Sequence, residues 1–312
     1  MSQPLVSICI PCFGRKEQLR NTIISIYKGL DSVEISDFEV VISENDSSKQ
    51  LESLVREFSY PNLKYFYTEC EGFLNSFYVL TYATGKFLLL HNSQESFCDK
   101  ALETIMNVVK KNEESKPLVA FTSGFLLNGK TRYYNDYNKF MHDLSYWSSW
   151  SNSFSIWKED FDVVKNRVEL NSLFPHTSVF ATQSNKGEFI IVDEILFQTQ
   201  FVPKRGGHNK FHAFSVEYPS ILEKLVESGT LSEKVYKYIL NSIFCDFLPS
   251  LYFNVKICGI EKFESDGFKE DLKKYFPDRS FYSIVLLSLL SPAKKIYAKI
   301  KKHFHISKEM FL

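Results

Sequence analysis

Between Leu5 and Leu90 the chain alternates four short apolar runs with stretches of helical spacing, and that rhythm restricts the possible folds more than any other feature. Residues 5–11 are rich in β-branched side chains and stop at a proline. Residues 15–27 then carry apolar groups at helical spacing, Leu19, Ile23, Ile24 and Tyr27. Residues 38–43 predict a second strand, 50–58 an amphipathic helix, 62–67 a third strand, 75–83 a helix stopped by Gly85, and 86–90 a fourth, fully buried strand. Strands linked by crossover helices form a mostly parallel sheet, so the expected fold class is α/β with flanking helices.

Ligands of such sheets bind beyond the carboxyl ends of the strands. Three polar loops occupy those ends: Pro11-Cys12-Phe13-Gly14-Arg15, Glu44-Asn45-Asp46-Ser47 and His91-Asn92-Ser93-Gln94-Glu95. The latter two contain neither a Gly-x-Gly-x-x-Gly fingerprint nor a Gly-Lys-Ser/Thr phosphate cradle, which argues against dinucleotide and nucleoside triphosphate sites. Lys plus Arg and Asp plus Glu each total 37, so no global field draws the protein to nucleic acid.

Beyond Ser96 the rhythm weakens. A helix is expected over 99–111, a strand over 118–123, further strand over 189–201, a loop rich in Lys, Arg, Gly and His over 202–212, and helices over 221–226 and 235–247. The Tyr-, Trp- and Ser-rich stretch 133–157 suits either stacking against sugar rings or an aromatic core beneath a loop. Residues 281–290 are apolar, Pro292 breaks them, and Lys294, Lys295, Lys299, Lys301, Lys302 and Lys308 follow with no acid among them. That pattern predicts peripheral contact with an anionic membrane, against the alternative of a solvated terminal helix. The six cysteines are scattered through apolar runs, as buried thiols in a reducing compartment are; Cys9 and Cys12 have metal-ligand spacing but lie in a strand with no second pair. The N-terminal residues lack the charged and apolar regions of a secretory signal, so a cytoplasmic protein is expected.

The strand-end loops, in their order and spacing, resemble those of the family 2 glycosyltransferases with the GT-A fold, especially bacterial enzymes that build surface polysaccharides. Val6-Ser7-Ile8-Cys9-Ile10-Pro11-Cys12-Phe13-Gly14-Arg15 is similar to the family's first strand, which normally ends in Pro-x-Tyr-Asn-Arg. Residues 38–47 resemble its second strand, whose terminal acid contacts the nucleotide base; the resemblance gives that role to Glu44. Asn75 and residues 83–90 resemble the helix and strand leading to the family's metal-binding Asp-x-Asp, in whose place this chain has Asn92-Ser93-Gln94. Neutral amides are poor ligands for Mg²⁺ or Mn²⁺. Only Glu95 adds a carboxylate, so no metal or other cofactor is expected, and the chain is either a metal-independent transferase or one that has lost activity.

What the resemblance implies is a donor site built from Pro11, Phe13, Arg15, Glu44, Asp46, Asn75, Asn92, Ser93 and Gln94. A leaving diphosphate without a cation needs basic side chains, and Lys204, Arg205 and His208, with Lys210 beside them and Arg15, are the candidates. Inverting transfer needs a base for the acceptor hydroxyl, which the family draws from an acid on the acceptor side. Here the candidates are His176, with an imidazole suited to neutral pH, and Asp160 of the Glu159-Asp160 pair. The expected organisation is a GT-A (Rossmann-like) domain over 1–215, with a nucleotide-sugar half over 1–97 and an acceptor half over 98–215, then a helical extension over 216–280 and a basic tail over 281–312. The expected partners are a nucleotide-sugar donor, UDP-linked by preference, a saccharide or polyprenyl-linked acceptor, and the inner face of the cytoplasmic membrane. A catalytically inactive sugar- or nucleotide-binding relative, acting as a partner subunit, is the alternative.

Overall fold

The computed structural model describes residues 3–28, 30, 32–126, 129–202 and 205–293. Its strands in chain order are β1 (Val6–Cys12), β2 (Phe38–Glu44), β3 (Leu63–Tyr67), β4 (Phe87–Leu90), β5 (Glu95–Phe97), β6 (Leu118–Phe121), β7 (Thr131–Tyr134), β8 (Ser155–Trp157), β9 (Phe189–Val192) and β10 (Phe197–Thr199). The helices that matter here are α1 (Lys16–Lys28), α2 (Gln50–Arg56), α3 (Asn75–Tyr82), α4 (Ala101–Lys111), α5 (Tyr137–Leu144), α6 (Lys158–Val164) and α7 (Pro175–Ala181).

The four strands expected from the apolar runs form one sheet in the order β3-β2-β1-β4-β8, with the first four parallel. β1 and β2 are buried on both faces, which is why their sequences read as nearly unbroken apolar runs instead of alternating. Ile8, Ile10, Val40, Ile42 and Leu89 pack with Leu19, Ile23 and Ile26 of α1 and Leu51 and Leu54 of α2 in one core. Cys9 and Cys12 lie buried in the central strand, and burial pushes both thiols up, so they are packing groups.

β8 closes the sheet antiparallel to β4, with Phe87 opposite Trp157 and Leu89 opposite Ser155. This strand lies inside the aromatic stretch and was not expected; three residues are too few to show a period. β6, β9 and β7 form a second sheet, and β5 pairs with β10. The single strand expected over 189–201 is therefore two strands belonging to different sheets, broken at Asp193-Glu194-Ile195.

By its internal packing the chain divides into two compact units, one of Met1–Phe125, Lys130–Tyr137 and Trp147–Phe201, the other of Leu126–Gly129, Asn138–Tyr146 and Val202–Leu312. In the described residues after 209 the second unit is mostly helical, with an irregular stretch over 258–267. Three of its turns, Ala213–Glu217, Ile243–Phe247 and Phe253–Ile257, are widened into π-helix. The first two immediately precede Tyr218-Pro219 and Leu248-Pro249, where a proline removes a backbone donor and its ring crowds the preceding turn.

Candidate functional site

The parallel register sets the first three strand ends level: Cys12 lies opposite Glu44, and Glu44 opposite Tyr67. β4 is shorter. Leu90 pairs with Cys9, and the His91 amide donates to the Cys9 carbonyl at 2.8 Å, so the chain turns across the ends of the longer strands from there. The three polar loops thus meet along one edge of the sheet.

At the first loop, Gly14 and Arg15 both adopt left-handed backbone, with φ of 62° and 60°. Glycine takes this conformation freely, whereas arginine does so at a cost, a kind of strain that gathers at functional sites. Arg15 is exposed, and its Nη1 donates to Gln94 Oε1 at 2.7 Å. Phe13 next to it is 66 % exposed, a large ring offered to solvent beside the loops, while Pro11 remains within the strand.

Asn75, at the start of α3, is buried. Its Nδ2 donates to the Ser43 carbonyl at 2.8 Å and reaches Asn45 Oδ1 at 3.2 Å, while its Oδ1 accepts from the Ser43 hydroxyl at 2.6 Å. It therefore ties the second loop to its strand. Asp46 accepts from the Ser48 amide at 3.0 Å, which holds its carboxyl below the usual range. Glu44 is turned inward instead of toward an incoming base: its carboxylate accepts from the Leu51 amide, at 3.3 and 3.2 Å, and from the Tyr65 hydroxyl at 2.6 Å. Burial raises its pKa, more than the Tyr65 and Leu51 bonds lower it.

The third loop is held from two directions. Beneath it the Thr22 hydroxyl of α1 lies 3.1 Å from the Ser93 carbonyl and 3.0 Å from that of Glu95, and the Gln200 amide donates to the Gln94 carbonyl at 2.9 Å. From the side, Asn152 Oδ1 accepts from the Asn92 amide at 2.6 Å, and the Ser151 hydroxyl donates to Asn92 Oδ1 at 2.6 Å. Ser93, Gln94 and Glu95 are buried, and Glu95 Oε1 accepts from the Thr199 hydroxyl at 3.2 Å. His91 packs against Phe97 and Phe197 with its Nε2 2.7 Å from the Glu95 carbonyl; burial lowers its pKa to about 4.

Sequence reasoning missed Ser151, Asn152, Thr22 and Gln200. The hydroxyl-rich run around Trp150 was the available signal for the first two. What could not be read was that β8 runs backwards, which carries residues 151–154 to the carboxyl end of β4, where the Leu90 amide donates to the Phe154 carbonyl. The same reversal corrects the reading of Asp160. α6 begins where β8 ends, and the Lys158 amide donates to the Lys86 carbonyl, so Asp160 sits at the opposite end of the sheet from the three loops. There it pairs with Lys186 at 2.6 Å, and Glu159 with Lys116 at 2.7 Å.

His176, at the start of α7, is buried beside Phe154 and Phe174, and its Nε2 lies 2.9 Å from the Ser149 carbonyl. A carbonyl only accepts, so Nε2 carries the proton and donates. Burial lowers its pKa to about 4, and the ring braces the segment that holds Asn92. Nearby, Phe125 stacks on Trp147, ring centres 4.4 Å apart, with Trp150 edge-on at 4.9 Å.

Arg205 and His208 belong to the second unit. The Arg205 carbonyl accepts from the Lys262 amide at 2.7 Å, the His208 carbonyl from Glu264 at 3.2 Å, and the His208 ring meets Phe263. Lys210 Nζ lies over the Phe247 and Phe263 rings, and burial, followed by repulsion from Arg205, lowers its pKa to about 8. Lys204 lies outside the described residues, as does the tail from residue 294 onward.

A family model described as glycosyl transferase family 2 matches residues 7–179, from β1 into α7, and so takes in all three strand-end loops. The chain is a family 2 glycosyltransferase. No curated protein matches this glycosyltransferase significantly in sequence. Among solved structures it is similar to S. aureus TarS 1–349, at 16 % identity and a TM-score of 0.60, over 95 % of this chain and 87 % of that one. The same TarS fragment in complex with UDP-GlcNAc matches at 15 % identity and 0.59, over 95 % and 88 %. The mannosyltransferase PcManGT from Pyrobaculum calidifontis, in complex with GDP-Man and Mn²⁺, matches at 14 % and 0.52, over 98 % and 88 %. These likenesses establish a common GT-A fold.

Proposed function

We propose that this glycosyltransferase passes a hexosyl or deoxyhexosyl group, with inversion, from a nucleotide sugar to a saccharide or polyprenyl-linked acceptor in bacterial surface-polysaccharide synthesis, and that it does so without a divalent metal. UDP is the favoured nucleotide, a preference supported by the TarS complexes among similar structures. The expected setting is cytoplasmic, at the inner face of the membrane.

The observation that carries the metal-free reading is the Arg15–Gln94 hydrogen bond. Where a divalent cation needs carboxylates, this loop offers Asn92 already engaged by Ser151, Gln94 engaged by Arg15, and a buried Glu95 held by Thr199. Those residues do not fit such a cation. A guanidinium stands there instead, and it serves a diphosphate with the same sign of charge, through a planar fork suited to phosphate oxygens. Charge-assisted hydrogen bonds contribute about 1.5–3 kcal/mol each, enough to matter for micromolar binding.

One observation favours the second reading, a non-catalytic relative: neither proposed base is open to an acceptor, since His176 is buried, its basic Nδ1 included, and Asp160 lies at the other end of the sheet. Calorimetric titration of UDP with EDTA and again with excess Mn²⁺, on the native chain and on Arg15→Ala, tests the donor site. Equal affinity in both buffers, reduced about tenfold or more by Arg15→Ala, is expected. Binding that requires Mn²⁺, or that ignores Arg15→Ala, sinks the metal-free reading. Hydrolysis or transfer from bound donor in EDTA then separates an active enzyme from a binding relative.

A further inference from the structure

The last helix described in the second unit, Ser280–Ser288, is folded with its polarity reversed. Its buried positions are Ser280, Ile284 and Ser288, continued by Ser291, a row of mostly small hydroxyl residues set against the rest of the unit. Four large apolar groups on this helix and just after it face out instead: Tyr282, Leu286, Leu289 and Leu290 are 63, 69, 60 and 55 % exposed. Spacings of four, three and one residues place these four on one face of a helical path. The arrangement is fixed from inside, because Phe281 meets the rings of Tyr252 and Phe268 at 6.2 and 5.9 Å, so the helix is not free to roll and hide its leucines.

In water this arrangement is unfavourable, since apolar area is left exposed that a rotated helix of the same composition would bury. It becomes favourable where the outer medium is itself apolar on one side. The sequence also supplies the charge such a medium attracts: Lys294, Lys295, Lys299, Lys301 and Lys302 follow Leu290 in the sequence, with no Asp or Glu between Asp278 and Glu309. Among the described residues no helix is long and apolar enough to cross a membrane. We infer that Tyr282, Leu286, Leu289 and Leu290 form the inserting face of an interfacial anchor, with the leucines in the acyl boundary, and that its partner is an anionic lipid bilayer, the surface to which the net positive charge of the sequence that follows is complementary. This gives a physical seat to the membrane setting proposed above, but it does not depend on the donor chemistry.

The test is co-sedimentation of the full chain with vesicles of phosphatidylcholine and of phosphatidylcholine mixed with phosphatidylglycerol, comparing native protein with a Leu286→Gln, Leu289→Gln double variant. Both leucines face outward, so the variant keeps its core, and circular dichroism and UDP titration check that the fold and donor site are unchanged. Binding to the mixed vesicles that weakens in salt and falls at least about tenfold in the variant is expected, because burying one leucine is worth about a factor of ten. Three results overturn the proposal: native protein left in the supernatant with both vesicles, a variant that binds as well as native, or native dimers in vesicle-free buffer that the variant turns into monomers. The last would assign this face to a second copy of the chain. A failed UDP titration with intact vesicle binding would count against the donor reading alone.

Discussion

β2 carries a buried glutamate near each end, and the two are treated in opposite ways. Glu39 lies at the amino end. Its carboxylate accepts from the Ser7 hydroxyl at 2.6 Å, the Thr84 amide at 2.6 Å, the Gly85 amide at 3.1 Å and Lys64 Nζ at 2.6 Å. Burial opposes its ionisation, but Lys64, Ser7 and Thr84 together outweigh burial and hold it below the usual carboxylate range. Glu44 lies at the carboxyl end with fewer donors, and there burial wins. His91 and His176, at the same end, are also kept from ionising by burial. The amino end of the sheet is thus a satisfied clasp. At the carboxyl end Glu44, His91 and His176 instead have their charged forms penalised by burial, whereas Asp46 in the second loop keeps its charge.

The comparison breaks most visibly at the clasp. Glu39→Ala should lower unfolding free energy by about 3 kcal/mol in urea titration, because it strands several buried donors at once. A loss below about 1 kcal/mol would show that the clasp is not what joins β1, β2 and the turn before β4. Gly85→Ala should cost about 2 kcal/mol, since its Cβ would stand 2.6 Å from Ser7 Oγ and 2.9 Å from the Ser7 amide nitrogen.

Acid sharpens the contrast. His91 and His176 have folded values depressed from 6.5 to about 4, so stability is complete above 6.5 and is lost as pH falls toward 4, by on the order of 2 kcal/mol for each. Glu39, also depressed, keeps its contribution until pH falls below its ordinary 4.5. Thermal unfolding followed across this range should therefore show the site end failing first. A melting temperature that stays flat between pH 6.5 and 4.5 would remove the distinction.

Glu44 has the opposite sign. Its folded value is raised, so the stabilisation that is complete below 4.5 is lost as pH rises above 4.5 through the folded value, and Glu44→Gln should leave stability at neutral pH equal or slightly higher. Denaturation of the two proteins side by side decides it, and a large loss would make Glu44 a second clasp. Asp160→Asn should have the smallest effect: no change in UDP affinity or donor turnover, and at most about 1 kcal/mol in stability from its partly exposed pair with Lys186. Lost turnover would bring Asp160 back as a catalytic candidate.

The three loops were legible because each follows an apolar run of strand length, and polar residues at the ends of such runs mark the ligand edge of a parallel sheet. Asn92, Gln94 and Arg15 could be nominated on that ground. That Arg15 bonds to Gln94 could not, because 79 residues separate them and only the pairing of β1 with β4 brings them together. His176 and Asp160 failed as open bases for a related reason. Residue type suits both to accept a proton, but access depends on packing, which no local pattern encodes.

The sequence by itself determined the parallel β-α units, the family and the neutral Asn92-Ser93-Gln94 run after the fourth strand, since these rest on local periodicity and on residue identity at strand ends. Only the tertiary structure decided the direction of β8, and with it which of two candidate regions meets the site. It also turned Glu44 inward and Leu286 outward. Strand direction and the facing of a side chain are settled by what lies across the sheet or against the helix, and those neighbours are distant in the chain.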